Sequence, residues 1–315
     1  MRGSGSVRVM RRGVMKLIDK CYVFLQKRWY QKGQLFYYRI IKLWLNLFYL
    51  LYAKFTPRCG LDPKANFVVS LTSFPARIDK VHLVVETLLR QRDPPRIIML
   101  CLAEEQFPGR VIPKRLQRLQ QQGLTIRWCN ENLRSHKKYY YAMREFLNLT
   151  VITADDDMFY PESWTKTLLE AAARNPDTVV CFEAARVLYQ ANGELLPYNS
   201  WENVACVERP RMDLIPIGAG GVLYPAGSLD KDVFDKSFFM TACRNADDLW
   251  LRTMSLKAEK KVVLATNRKV PFVTLFAAKK EALNVGNVDK GQNDIQLKNI
   301  FTRYRKVWDI AKLKQ

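Results

Sequence analysis

The sequence predicts an α/β fold, a mainly parallel sheet flanked by helices, and three observations predict it. Short apolar runs recur between stretches of about ten residues with helical periodicity. Turn and cap chemistry punctuates them, as where Pro113 opens a helical stretch and Gly123 follows it. An acidic triplet, Asp155, Asp156 and Asp157, comes directly after one apolar run, and open parallel sheets bind ligands at the carboxyl ends of their strands. With 315 residues and 48% apolar content the chain can bury a full core.

The first fourteen residues, MRGSGSVRVMRRGV, lack any apolar period and are expected to be unstructured. Residues 1–58 hold thirteen Lys/Arg against one acid, Asp19, so more than half of the net charge of +21 sits in this segment. Residues 35–55 read LFYYRIIKLWLNLFYLLYAKF, interrupted by Arg39 and Lys42, with only Leu43 to Ala53 free of charge. A spanning helix needs about 20 mostly apolar residues. The expectation is therefore an N-terminal amphipathic basic helical segment lying in a membrane interface, the competing expectation being a helix packed on the protein's own core.

After a turn-rich linker, Pro57 to Lys64, strands are expected at Asn66–Leu71, Arg96–Leu102, Leu124–Cys129 and Leu149–Ala154. Helices are expected at Val81–Arg90, Pro113–Gln122, Lys137–Leu147 and Trp164–Ala173. Beyond these the rhythm loosens. Short strands are expected at Thr178–Phe182 and Val187–Gln190, a loop at Tyr198–Arg211, and a glycine turn before a strand in IPIGAGGVLYP, Ile215 to Pro225. Asn245 is expected to cap a helix carrying Asp247 and Asp248 in its first turn. The tail, Asn293 to Gln315, reads as an amphipathic basic helix that packs on the core or rests on the membrane.

The acidic triplet is the chemical centre of this reading. Along extended backbone Asp155 and Asp157 point to one side and Asp156 to the other. Two like charges ~6 Å apart repel by roughly 3 kcal/mol at an effective dielectric of about 20, so a rigid site holding them calls for a cation. Paired hard oxygens suit Mg²⁺ or Mn²⁺. The seven cysteines are scattered, form no CxxC motif, and with only two histidines offer no soft-metal cluster. They read as reduced, buried residues of a cytosolic protein. The cations concentrate in a segment that is also the most apolar, and no nucleic-acid-binding motif is present, which argues against a nucleic-acid partner.

Five motifs in order, NFVVSLTSFPARI, LRSHKKYYYAM, VITADDDMFYP, GAGGVLYP and NADDLWL, resemble the GT-A-type glycosyltransferases of bacterial surface polysaccharide synthesis, lipopolysaccharide or capsule, of a family 2-like kind. The order is more distantly similar to the exostosin-type hexosaminyltransferases. The resemblance covers roughly Asn66 to Asn299 and implies a GT-A, Rossmann-like fold over residues 59–315. It implies transfer of a hexose from a nucleotide-diphosphate sugar, a UDP-sugar foremost, to a lipid-linked or polysaccharide acceptor. The expected setting is peripheral, at the cytoplasmic face of the cell membrane against its anionic surface.

By the same resemblance, Thr72, Ser73 and Arg77 hold the base and ribose, Lys137 and Lys138 contact the nucleotide or its phosphates, and Asp155 contacts the donor. Asp157 ligates Mn²⁺ or Mg²⁺, and Asp156, grouped with the donor-binding residues, is the acid of the three most suited to a structural role. Gly220 and Gly221 line the sugar and acceptor pocket. Asp247 and Asp248 supply the catalytic base, with inversion slightly favoured over retention. No histidine follows His136, so the downstream metal-binding His of many such enzymes is missing; Asn293 or Asp294 is its candidate replacement, the alternative being a metal held by Asp157, the diphosphate and water alone. A sugar-nucleotide nucleotidyltransferase would use the same acids, but it usually needs a glycine-rich basic loop after the first strand, and SLTSFPARI has no glycine. A basic membrane-binding or nucleic-acid-binding protein without activity is the remaining alternative.

Overall fold

The structure, a computed structural model, describes residues 20–21, 34–55, 60–268, 270, 272–276 and 291–313. The expectation for the first fourteen residues, and part of the Pro57–Lys64 linker, lie outside the described residues.

A seven-stranded sheet runs in the order β11-β6-β10-β4-β1-β2-β3. Its strands are β1 (Phe67–Thr72), β2 (Ile97–Ala103), β3 (Leu124–Cys129), β4 (Thr150–Thr153), β6 (Val179–Cys181), β10 (Val222–Tyr224) and β11 (Val262–Leu264). β1, β2, β3 and β4 pair in parallel, while β10 runs antiparallel between β4 and β6. The sheet is thus mainly parallel, as the apolar runs predict. Alternate residues of β1 enter different cores. Phe67, Val69 and Leu71 join the large one, whereas Val68 joins Met99, Cys101, Cys129, Ala142 and Val151 in a smaller one. Both faces of the strand are buried, which explains why Phe67, Val68 and Val69 are apolar in succession rather than alternating with polar residues.

Helix α2 (Pro75–Leu88) follows β1, α3 (Lys114–Gln120) precedes β3, and α4 (Lys137–Glu145) covers β1, β2 and β4. α2 starts six residues before the expected Val81, because Phe74 is extended and Pro75 stands in the first turn with its backbone angle preset. α5 (Trp164–Arg174) packs on β6 and β10.

Two small sheets and a helix were not expected. β5 (Met158–Phe159) pairs antiparallel with β12 (Val273–Thr274). β7 (Ala184–Arg186) pairs antiparallel with β8 (Glu202–Val204) and β9 (Leu214–Pro216), so strands occupy part of the expected Tyr198–Arg211 loop. The expected Val187–Gln190 strand lies just beyond β7, reduced to the single bridge Tyr189–Leu195. α6 (Lys236–Ala242) precedes α7 (Asp247–Lys257). Asn245 does not cap α7: Ala246 is at that position, and the Asn245 backbone N–H donates to Gln296 Oε1 at 2.9 Å.

The tail forms α8 (Gln292–Leu313), which buries Leu297, Ile300, Phe301, Tyr304 and Trp308. α1 (Gln34–Phe55) packs one face against α2 and β12. No helix among the described residues is long and apolar enough to cross a membrane. The six described cysteines are free, four of them buried and Cys206 exposed.

Candidate functional site

The register places the site. Ser70 of β1 pairs with Thr153 of β4, and the Ala154 N–H donates to Ser70 O at 2.9 Å, so both strands end side by side. Thr72 and Ser73 leave one end and the acidic triplet leaves the other. The chain turns at Asp156 and Asp157, so the alternation expected of an extended strand does not persist through the triplet. Asp156 and Asp157 share Arg77, while Asp155 faces Lys138.

Asp156 is buried. Its two oxygens accept from Ser73 Oγ and from Arg77, each at 2.6 Å. Burial pushes its carboxyl up, and Arg77 and Ser73 pull against that. Arg77 also lies 3.0 Å from Asp157 Oδ2. Thr72 Oγ1 donates to Cys101 O at 2.8 Å across β1 and β2. The Thr72 and Ser73 hydroxyls and Arg77 Nη1 therefore bond to the protein itself, and Ser73 and Arg77 fix the base of the acidic turn.

Lys138 joins the two acidic motifs. Its Nζ lies 2.9 Å from Asp155 Oδ1 and 3.0 Å from Asp247 Oδ2, with only 6% of the side chain exposed. Burial disfavours its charge, but Asp155, Asp247 and Asp248 outweigh burial and hold the ammonium well above its ordinary range. For Asp247 burial likewise works against ionisation, yet Lys138 keeps the carboxyl below its ordinary value. Asp248 is partly open to solvent, and Asp248 Oδ2 accepts from the Gly218 N–H at 3.0 Å. Burial and the neighbouring Asp247 push the Asp248 carboxyl up. The two adjacent acids are thereby split into a charged residue and one that takes a proton near neutrality.

Lys137 does not join this cluster. Successive residues on a helix point about 100° apart, and Lys137 Nζ donates to Asn132 Oδ1 at 2.9 Å, facing the Cys129 and Cys101 thiols. Burial lowers its amine to about 8. His136 is fully buried, with Nε2 2.9 Å from Cys243 O, and burial lowers it to about 4, so it is neutral at pH 7.

The glycine loop closes the site from β10. A Cβ on Gly218 would lie 2.8 Å from Asp248 Oδ1, so this glycine makes room for the acid. At Gly221, φ is +89° and a Cβ would lie 2.4 Å from the Trp164 ring; Trp164 Nε1 donates to Gly220 O at 2.8 Å. A Cβ on Gly220 would meet Phe182 and Phe272 at 3.0 Å. The close approach that Gly220 and Gly221 permit is thus to the protein's own rings, leaving backbone as the surface this loop can offer a ligand. Gly221→Ala combines a clash with a disfavoured φ and is expected to cost about 3 kcal/mol in chemical denaturation; a loss below about 0.5 kcal/mol would show that the indole shifts freely.

Three contributors escaped the sequence reading. Tyr160 hydroxyl accepts from the Asp155 N–H at 2.8 Å and donates to Ala219 O at 3.4 Å, linking the acidic turn to the glycine loop. Trp164 is the second. The third is the segment around β12, where the Leu275 N–H donates to Asp157 O at 2.8 Å. Tyr160 stands inside VITADDDMFYP, and its position five residues after Asp155 was the available signal.

The acidic turn has the donors for a divalent cation. Asp155 and Asp157 side chains are 32% and 24% exposed, and burial together with Asp155 raises Asp157 to about 6. A bound cation relieves that strain, and the donors are hard oxygens, which fits Mg²⁺ or Mn²⁺. Among the described residues no three His, Cys, Asp or Glu form a metal-holding group, so the fit is to an ion that takes its remaining oxygens from substrate and water. Of the two candidate replacement ligands, Asp294 accepts from the Tyr198 N–H through Oδ1 at 2.6 Å, and Asn293 is buried in the first turn of α8.

No protein-family model matches the chain. No curated protein matches it either. Among solved structures the chain is similar to a mannosyltransferase from Pyrobaculum calidifontis in complex with GDP-Man and Mn²⁺, at 14% identity and a TM-score of 0.46, covering 91% of this chain and 76% of that one. It is also similar to GalNAc-T7 with UDP, GalNAc and Mn²⁺, at 8% identity and TM-score 0.47, covering 76% of this chain and 50% of that one. A third similarity is to 4-diphosphocytidyl-2C-methyl-D-erythritol synthase, at 10% identity and TM-score 0.37, covering 64% of this chain and 88% of that one. At such low identity and superposition, these likenesses leave the activity to be judged from the site's own chemistry.

Proposed function

We propose that the protein is a metal-dependent glycosyltransferase that moves a hexose from a nucleoside diphosphate sugar, a UDP-sugar foremost, to a glycan or lipid-linked acceptor of surface polysaccharide synthesis. The observation that carries this is the Asp155–Lys138–Asp247 bridge. It joins an acidic turn suited to a metal diphosphate to a second acidic pair, from another part of the chain, suited to proton transfer. A nucleotidyltransferase has use for the first pair, but the second fits a hydroxyl acceptor better.

Asp157 would hold Mn²⁺ or Mg²⁺, with Asp155 contacting the donor beside it. When bound, the cation supplies charge neutralisation on the departing diphosphate. Asp248 is the base: it is partly solvent-exposed and its raised carboxyl accepts a proton near neutral pH. As the anomeric C–O bond to the diphosphate breaks, the acceptor oxygen forms the new bond from the opposite face and its proton passes to Asp248, giving inversion. Asp247 stays charged against Lys138 and fixes the helix that carries Asp248. A peripheral position at the cytoplasmic face of the cell membrane would bring this site to a lipid-linked acceptor.

The test is transfer and hydrolysis across a panel of nucleotide sugars with Mn²⁺. Asp248→Asn is expected to reduce transfer by roughly 10²-fold or more while nucleotide binding persists. The wild-type rate should fall on acidification well above the ordinary carboxylate value of about 4, because the base must be ionised. Full transfer by Asp248→Asn would remove it as the base, and inactivity toward every donor would remove the proposal.

A further inference from the structure

Helix α1 presents two faces of different character. Inward, Leu45 and Tyr49 are buried, and Tyr49 stacks on Phe159 at 5.0 Å. Asn46 Oδ1 accepts from the Phe276 N–H at 3.0 Å, and Lys42 donates to Thr274 Oγ1. Outward, Phe36, Ile40, Leu43 and Leu47 are 63%, 49%, 51% and 54% exposed. Spacings of four, three and four put them in one row along the helix. Single exposed apolar residues are ordinary, but a continuous row marks an interaction surface.

The charge selects the occupant. Residues 1–58 hold thirteen Lys/Arg against one acid, and Arg39 is exposed on α1 itself. A second copy would bring a second Arg39 to the same face and an equally basic N-terminal sequence, and like charges would oppose the pairing. An anionic lipid surface accepts both the hydrocarbon row and the cations. With its inner face held by the domain, α1 can only lie along such a surface.

We propose that α1 docks in the plane of an anionic lipid surface through Phe36, Ile40, Leu43 and Leu47, and that its inner face props the segment that fixes Asp157. The inner connection is continuous: Asn46 and Lys42 hold residues 274–276, β12 pairs with β5, and Leu275 N–H donates to Asp157 O. Lipid docking and the acidic turn then form one rigid unit. The lipid half stands on the outer row of α1 and the basic N-terminal sequence, whereas the acidic-turn half rests on the proposed role of Asp157 in donor binding.

The test uses the full chain in co-sedimentation with vesicles of phosphatidylcholine alone and of phosphatidylcholine mixed equally with phosphatidylglycerol. The double variant Leu43→Gln/Leu47→Gln is expected to lower partition onto the mixed vesicles roughly tenfold, with thermal stability and Mn²⁺-dependent UDP binding unchanged. Asn46→Ala is expected to keep vesicle partition and weaken Mn²⁺-dependent UDP binding several-fold. Unchanged partition of the double variant, or equal wild-type binding to both vesicle types, would overturn the lipid half. So would a dimer lost in the double variant while vesicle binding persists, which would assign the row to a second copy. Unchanged UDP binding by Asn46→Ala would overturn the acidic-turn half. Absence of Mn²⁺-dependent binding of every nucleoside diphosphate by the wild type would overturn that half together with the proposed function, and the vesicle comparison would still decide the lipid half.

Discussion

Lys138→Met is expected to destabilise the protein by about 3 kcal/mol, the lower end of the range for breaking a buried pair, because Asp155 remains partly hydrated. The substitution keeps much of the stem's volume and removes only the charge, so packing loss is a minor part of the effect. Asp247, buried at 6% relative exposure, is left without its principal cation. A second change, Asp247→Asn, should recover part of the loss, since it removes the stranded charge. The pair also sets a pH dependence. Asp247 is held below its unfolded value, so its contribution is present above about pH 4 and lost as pH falls through the folded value. Wild-type stability should therefore drop on acidification below about pH 4, more steeply than that of the double variant. Denaturant titration of the three proteins measures this, and a Lys138→Met loss below about 0.5 kcal/mol would show that the bridge carries little.

Asp157→Asn is expected to abolish Mn²⁺-dependent nucleotide binding while leaving the fold intact. The carboxylate already stands in an unfavourable position, raised to about 6 by burial and by Asp155, so neutralising it relieves a repulsion. Arg77 keeps its contact with Asp156 at 2.6 Å, and the turn retains its base. The cost falls on function, since a neutral amide replaces the group assigned to the cation. Thermal denaturation without metal should give a midpoint at or above that of the wild type, and a large fall would mark Asp157 as a structural residue instead.

The parallel part of the sheet was legible because four apolar runs, each four to seven residues long, alternate with helical stretches, and burial on both faces leaves that pattern intact. The antiparallel placement of β10 was not legible, because a three-residue strand carries no period and its direction is set by neighbours far along the chain. The same limit hid β5, β8 and β12. In the site, the acidic residues announced themselves as types, but their partners did not. Lys137 and Lys138 are adjacent and chemically identical, and only the helical rotation between them sends one to Asn132 and the other to the acids. The glycines of GAGG were legible as a close-approach loop, but the fit of Gly221 to Trp164, 57 positions earlier, was not. Pairings of that kind come from tertiary packing and leave no local trace.

Calorimetric titration of nucleoside diphosphates into the wild type and Asp157→Asn, with and without Mn²⁺, decides whether the acidic turn is built for a metal nucleoside diphosphate. One nucleoside diphosphate is expected to bind the wild type at least roughly tenfold more tightly with Mn²⁺, about 1.4 kcal/mol, and Asp157→Asn is expected to lose this gain. Binding that is independent of Mn²⁺, or a gain that survives in Asp157→Asn, would contradict that role for the turn.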